Sequence, residues 1–139
     1  MSRRTLAWLP AGAYMLLIWV LSSIPHAFVF ERVPFQDKGA HFVEYGVLAA
    51  LMTHALDGTW PGLRARSLFA MAWAATVFWG LFDEIHQAYV PGRVADGFDL
   101  LADALGGLAG TLAYLAYRAR RAATRRTTSD QQGETATRL

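Results

Sequence analysis

The sequence contains no cysteine and comparatively little charge, and each shortage excludes a class of protein. Without cysteine, this chain of 139 residues has no disulfide framework, no thiolate nucleophile and no cysteine-ligated metal site. Charged residues make up 17% of the sequence, against roughly 25% in soluble domains, whereas 54% of the residues are hydrophobic. The length suits a single domain, and the composition indicates an integral membrane protein.

Four stretches have the length and hydrophobicity of membrane spans, which need about 20 mostly apolar residues in a helix. They are residues 6–24, 38–56, 68–90 and 98–117. The first carries no charge, and no A-x-A cleavage site follows it, so a retained span is favoured over a signal peptide. The other three contain acidic residues, two of them histidine as well. The predicted fold class is therefore all-α, a small polytopic membrane protein with four transmembrane helices.

Arginine and lysine are distributed unevenly between the two ends of the predicted spans. With both termini cytoplasmic, three of the 13 basic residues lie outside (Arg32, Lys38 and Arg93) and the other ten lie inside. The positive-inside rule favours this orientation. Residues 1–121 then form a four-helix membrane domain, and residues 122–139, which have little to bury, are expected to form a disordered polar cytoplasmic tail.

Ionisable residues from three predicted spans fall at one depth, near the outer surface. Lys38 and His41 begin the second span, and Asp99 and Asp103 lie in the first two turns of the fourth. Asp83 comes fifteen residues after the start of the third span, about 22 Å along a helix that rises 1.5 Å per residue. The spacing predicts one polar cluster on the extracytoplasmic side.

Acidic residues outnumber basic residues in this cluster. The carboxylates are those of Asp37, Asp83, Glu84, Asp96, Asp99 and Asp103. The cations are Lys38 and Arg93, with His41 and His86 as further bases. So many carboxylates near a low-dielectric boundary cannot all stay ionised with so few partners. Bound protons, a metal ion or an amino group on a ligand is therefore expected.

The acidic face of the fourth span continues into glycine. Asp99, Asp103, Gly106 and Gly110 are spaced i, i+4, i+7 and i+11, which places them on one stripe of a helix. Small residues allow helix backbones to approach each other closely in membranes. The lower half of this stripe therefore predicts a close helix–helix contact, which would aim the carboxylates above it at neighbouring helices.

The polar segments also resemble those of VanZ-like membrane proteins. The similar segments are LSSIP (residues 21–25), DKGAHFVEYGVLA (37–49), DEIHQAYVPGR (83–93) and FDLLADALGGLAG (98–110), in the order and spacing of that family. The shared polar positions of the family fall on Asp37, Lys38, His41, Tyr45, Asp83, Glu84, Gln87, Pro91, Gly92, Arg93, Asp99 and Asp103. Relatives often carry Asn at the position of Asp103, so the resemblance implies a hydrogen-bonding role there.

What the resemblance implies is a multi-pass protein of the bacterial cytoplasmic membrane. The family is named after an accessory protein linked with teicoplanin resistance, but most members occur outside resistance clusters, so resistance is not transferred to this chain. It supplies no settled reaction, and the cofactor stays unknown. The expected ligand-binding residues are Asp37, Lys38, His41, Tyr45, Asp83, Glu84, Gln87, Arg93, Asp99 and Asp103.

Two functions are expected to compete, besides a purely structural network that pins a loop. In the first, the polar site binds a lipid head group or a glycopeptide-like ligand of the cell envelope, with Arg93 and Lys38 gripping phosphate and the carboxylates taking amines. In the second, the chain is a membrane-embedded enzyme acting on a lipid-linked precursor, and the catalytic candidates are His41, Asp83, Glu84 and Arg93.

Two further interpretations remain open at this stage or rank lower. Metal-assisted hydrolysis would use His41, Asp83, Glu84 and Asp99 as ligands, although no HExxH spacing supports it. An ion pathway ranks last because the inner half of the spans offers only Glu44 and His54. The expected partners are the lipid bilayer and an envelope lipid or precursor, not nucleic acid, and the oligomeric state stays open.

Overall fold

The computed structural model describes the backbone of residues 3–25 and 36–137, and the side chains of residues 4–25, 38–128 and 131. Over these residues the chain is all-α, as predicted. The helices are α1 (Arg3–Ser22), α2 (Gln36–Thr59), α3 (Ala65–Gln87) and α4 (Gly97–Thr137).

Three of the four helices are long and apolar enough to cross a membrane. These stretches are Arg4–Ser22, Ala65–Gln87 and Gly97–Thr128. Helix α2 is also long, with 24 residues, but His41, Glu44 and His54 interrupt its apolar sequence. The finding supports a multi-pass membrane protein, whereas four spans and cytoplasmic termini stay predictions.

The helices alternate in direction, and α2 contacts each of the other three. The indole of Trp8, near the start of α1, donates a hydrogen bond to Thr59 at the end of α2, with 2.8 Å between Nε1 and Oγ1. At the same end, Arg118 of α4 pairs with Asp57 of α2 at 3.2 Å. The start of α2 therefore lies beside the end of α1, the end of α3 and the start of α4.

The closest packing in the described chain joins α2 to α4 through glycine. A Cβ atom on Gly106 would overlap with the backbone of Phe42, and one on Gly110 would overlap with the backbone of Gly46. The predicted small-residue contact is confirmed, and its partner is α2. Because the two backbones touch, the acidic residues one and two turns before Gly106 are held against the start of α2.

Helix α4 extends beyond the end that the sequence predicted. A disordered tail was expected from residue 122, yet the helix continues to Thr137. The side chains of residues 121–128 are all exposed. Alanine and arginine favour helix by intrinsic propensity, and extending an existing helix avoids the cost of nucleation. The domain boundary at residue 121 stays a prediction.

Candidate functional site

One end of each of the four helices lies at the same end of the bundle, around the start of α2. Each of these helix ends carries polar side chains. Helix α1 supplies Ser22, α2 supplies His41, α3 supplies Asp83 and α4 supplies Asp99, and each of these four residues is buried. The predicted meeting of separate spans at one level is therefore seen in the structure. The arginines of residues 64, 66, 118 and 121 line surface pockets at the opposite end of the bundle.

Lys38 links the loop after α3 to the first turn of α4. Its ammonium lies 2.7 Å from Oδ2 of Asp96 and 2.6 Å from Oδ1 of Asp99. The other oxygen of Asp96 accepts the backbone N–H of Phe98 at 2.8 Å, which is the bond of a helix N-cap. The pKa of the Asp96 carboxyl is held below its usual 3.8, mainly by the hydrogen bond from Lys38 and next by the hydrogen bond from the Phe98 amide.

His41 and Asp103 form a buried pair between α2 and α4. Nδ1 of His41 lies 2.9 Å from Oδ1 of Asp103, and both side chains are at least 90% buried. Asp103 also lies against Gly80 of α3, where an added Cβ would come within 2.9 Å of Oδ2. An ionised Asp103 can only accept from Nδ1–H, and in the neutral imidazole Nε2 then keeps a lone pair.

Arg93 ties the end of α3 to the end of α1. Its guanidinium donates to the carbonyls of Leu21 and Ile24 at 3.3 and 3.1 Å, and to Oε1 of Gln87 at 3.2 Å. Gln87 in turn donates to Oδ2 of Asp83 at 2.9 Å. These hydrogen bonds connect the guanidinium of Arg93 through Gln87 to the buried carboxylate of Asp83.

Four buried oxygen atoms of the site have no hydrogen-bond partner among the described residues. They are Oδ1 of Asp83, Oε1 of Glu84, Oδ2 of Asp103 and the hydroxyl of Tyr45. A buried polar atom left unpaired costs about 1–3 kcal/mol. The excess of acid inferred from the sequence is therefore present as specific atoms that can still accept a hydrogen bond or ligate a cation.

A cleft of about 480 Å³ opens between α1, α2 and α3 at this end of the bundle. Its walls are apolar where Ile18, Leu21 and Val43 line it, and polar where Asp83 and Arg93 line it. The remaining lining residues are Tyr14, Ser22, Ile24, Gly39, Ala40, His41, Glu44 and Gln87. Such a cleft matches an amphiphile, with one charged and one apolar part.

The predicted ligand-binding residues divide into two groups. His41, Asp83, Gln87 and Arg93 line the cleft. Lys38, Glu84, Asp99 and Asp103 lie behind it, between α2, α3 and α4, with Tyr45 buried beside them. The side chain of Asp37 lies outside the described residues.

The expected grip of Lys38 on a phosphate is not the arrangement in the structure, because its ammonium already binds two carboxylates. Glu44 was assigned to the inner half of the span but lines the cleft. Its spacing from His41, one turn of helix, could have indicated this position.

A serine–histidine pair at the same end was not predicted. Oγ of Ser23 lies 3.0 Å from Nε2 of His86, and the imidazole stacks on Trp19. The hydroxyl of Ser23 also lies 2.6 Å from the carbonyl of Trp19, which can only accept. The single hydroxyl proton therefore goes to that carbonyl, and His86 donates to Ser23, which leaves the serine without a base to activate it.

One set of side chains has the composition of a metal site. His41, Glu84 and Asp99 each offer an atom, and these atoms lie within 4.8 Å of one another. All three residues are buried. The set contains three of the four ligands that the sequence suggested, since Asp83 is not part of it.

Comparison with known proteins places these residues in a family. No match was found among curated proteins or among solved structures. The family model described as VanZ/LLP1 matches residues 6–118, which reach into all four helices and include every residue of the site. With most of its length matched, and with the fold of a multi-pass membrane protein, the chain belongs to the VanZ/LLP1 family.

Proposed function

We propose that this VanZ-like membrane protein binds a cell-envelope lipid, with the head group in the cleft and the acyl chains against the apolar surface of α1 and α2. The observation that carries the proposal is Oδ1 of Asp83. Asp83 lines the cleft, and this atom is buried and lacks a hydrogen-bond partner among the described residues. A cationic amine of a head group would satisfy it with a charge-assisted hydrogen bond.

The opposite charge in the cleft supports a head group that also carries phosphate. Arg93 lines the same cleft, and its guanidinium is held in place by the carbonyls of Leu21 and Ile24. Arginine keeps its charge in every environment and suits phosphate geometrically. The ligand class is therefore a lipid with both an amine and a phosphate in its head group.

The apolar side of the cleft supports a lipid over a soluble ligand. Ile18 and Leu21 of α1 line the cleft opposite Val43 of α2, whose side chain is 63% exposed. Leu17 and Val20 extend this exposed apolar surface along α1. An acyl chain lying on this surface of α1 would contact apolar side chains along its length, beginning next to the head group.

The proposed orientation places the cleft at the extracytoplasmic surface of the cytoplasmic membrane. Its support is the separation of charge, because Arg64, Arg66 and Arg118 lie at the opposite end of the bundle from the cleft. Cytoplasmic loops carry the excess of arginine and lysine in membrane proteins.

Lipid binding to the purified chain tests the function. We expect native mass spectrometry to show tighter binding of phosphatidylethanolamine than of phosphatidylglycerol, which lacks the amine. Asp83→Asn should weaken phosphatidylethanolamine binding by about ten- to a hundredfold, since a hydrogen bond to a charged group contributes about 1.5–3 kcal/mol. Asp57→Asn, which alters a carboxylate at the other end, is the matched control and should bind normally. Equal binding of both lipids by all three proteins would contradict the proposal.

A second candidate function is a membrane-embedded enzyme that hydrolyses a lipid-linked precursor. The observation in its favour is the His41–Asp103 pair, because a carboxylate that fixes the tautomer of a histidine is a common support for a general base. Purified protein incubated with polyprenyl phosphates and phospholipids should then release product, and His41→Gln should abolish the release. Absence of turnover with every substrate would exclude this candidate and leave the binding function standing.

A further inference from the structure

We propose that His41, Glu84 and Asp99 bind one divalent first-row metal cation between α2, α3 and α4. The site lies behind the cleft, and only His41 borders both. The inference goes beyond the lipid-binding function and does not depend on it, because none of its three ligands needs a lipid in place.

The three ligand atoms have to approach each other to form a coordination sphere. One atom from each residue lies within 4.8 Å of the others. Metal–ligand bonds of about 2.1 Å place the ligands of a tetrahedral ion about 3.4 Å apart. The side chains therefore have to bring these atoms up to about 1.4 Å closer to complete the set.

His41 has the kind of hydrogen-bond partner that metal-bound histidines have. Nδ1 lies 2.9 Å from Asp103, and in the neutral imidazole whose Nδ1–H donates to that carboxylate, Nε2 keeps a lone pair for a cation. Metal-bound histidines almost always donate their other nitrogen to a carboxylate or a carbonyl in this way. Asp103 is fully buried, so solvent does not compete with the imidazole for its carboxylate.

Glu84 supplies a second observation that points to a bound cation. Its side chain is buried, with 5% of the residue exposed, and Oε2 accepts the backbone N–H of Asp96 at 2.8 Å. Oε1 has no hydrogen-bond partner among the described residues. A carboxylate held by one oxygen and unpaired at the other is under-satisfied in a buried site, and a cation at Oε1 removes that cost.

The charge around the site favours a cation beyond those the chain provides. Four acidic residues belong to the set or contact it, namely Glu84, Asp96, Asp99 and Asp103. Among the described residues, the ammonium of Lys38 contacts two of them. Lys38 neutralises Asp96 and one oxygen of Asp99, and it lies at the edge of the site rather than between the three ligands. Lys38 therefore competes with a metal for Asp99.

One imidazole nitrogen and two carboxylate oxygens indicate the class of metal. Calcium and magnesium are bound mainly by oxygen, whereas nitrogen together with carboxylate is typical of Mn²⁺, Fe²⁺ and Zn²⁺. Three protein ligands leave further coordination positions for water. Mn²⁺ is a suitable probe because its free form is measured directly by electron paramagnetic resonance.

Titration of the full-length protein with Mn²⁺, after chelator treatment and without added lipid, tests the site. We expect one bound ion per chain. His41→Gln, Glu84→Gln and Asp99→Asn should each weaken binding at least tenfold, whereas Glu44→Gln, which alters a nearby carboxylate outside the ligand set, should not. Asp103→Asn should weaken binding about ten- to a hundredfold, as is typical when the partner of a ligating histidine is changed.

Lys38→Met separates a metal site from a structural ion-pair network. Removing the competing ammonium should strengthen Mn²⁺ binding at least threefold, an effect that a merely destabilised protein would not show. Thermal unfolding of each variant without metal identifies those that fail to fold, and the Lys38→Met result stands independently of them. No bound Mn²⁺ in the wild type, or binding that none of the ligand variants weakens, would overturn the proposal even if the lipid still binds.

Discussion

At the scale of single residues, Asp96 performs two tasks with its two carboxylate oxygens. One oxygen caps the start of α4, and the other binds the ammonium of Lys38. The same residue donates its backbone N–H to Glu84. This loop residue therefore contacts three helix ends, through its side chain and its backbone. Its side chain lies at the edge of the site and is only partly buried.

The lowered pKa of Asp96 predicts a pH-dependent contribution to stability. A depressed pKa in the folded state means that the ionised form stabilises the fold. This stabilisation is fully present above the ordinary value of 3.8 and is lost as the pH falls through the lower folded value. Asp96→Asn keeps the cap but loses the ion pair. Thermal unfolding should show the wild type as more stable at pH 7, and the difference should disappear below the folded value.

A matched background separates the ion pair from the cap. In Lys38→Met protein, the same Asp96→Asn substitution should give a much smaller difference at pH 7, because the partner ammonium is gone. An unchanged difference in that background would contradict the role of Lys38.

The pairing of individual side chains across helices could not be predicted from the sequence. The acidic residues of the site and their common level followed from helical spacing, but their partners did not. His41 pairs with Asp103 only because α2 and α4 have a particular register, which their glycine contact sets. The pairing of Ser23 with His86 depends likewise on how α1 and α3 lie together. Register is a property of packed helices, and no spacing within one helix contains it.

At the scale of helices, the α2–α4 contact holds the site together. Gly106 and Gly110 leave space for the backbone of α2, and Asp99 and Asp103 precede them on the same stripe. Helices that meet backbone to backbone cannot slide without losing this fit. The contact was predictable because small residues recurred at helical spacing. The central position of α2 in the bundle could not be predicted. The polar residues scattered along this helix give only a weak signal for membrane insertion.

Gly106→Ala tests the importance of this contact. The added methyl group would overlap with the backbone of Phe42, so the helices must separate. Overpacking of this kind costs about 1–3 kcal/mol. We expect a lower temperature of thermal unfolding in detergent and weaker binding of both ligands. Gly12→Ala is the control, since a Cβ there meets nothing within 4 Å. Equal unfolding temperatures for the two variants would contradict the account.

At the scale of the whole molecule, the two ends of the bundle differ in charge. One end carries the acid-rich site, and the other carries Arg64, Arg66 and the Asp57–Arg118 pair. Between them lie exposed apolar side chains, among them Leu16, Phe78 and Leu105. This order of polar, apolar and basic surface suits a protein that spans a membrane. It also supports an outward-facing site, which sequence charge alone had suggested.

Helix α4 is longer than the predicted fourth span, residues 98–117. Residues 122–137 have nothing to bury, and that property predicted disorder. The structure continues the helix to Thr137. A lack of hydrophobic residues excludes packing against the bundle, but it does not exclude an exposed helix that grows from a stable one.

Labelling of Gly39→Cys tests whether the cleft faces the outside and holds a lipid head group. Gly39 lines the cleft, is exposed, and has space for a Cβ. The chain has no other cysteine. In spheroplasts, a membrane-impermeant maleimide should label Gly39→Cys, whereas Arg64→Cys at the opposite end should react only after permeabilisation.

The same variant reports occupancy of the cleft in proteoliposomes. We predict slower labelling of Gly39→Cys in vesicles that contain phosphatidylethanolamine than in vesicles of phosphatidylglycerol alone, and loss of that difference when Asp83→Asn is added. Labelling of Gly39→Cys only after permeabilisation, or at the same rate in both kinds of vesicle, would contradict the account.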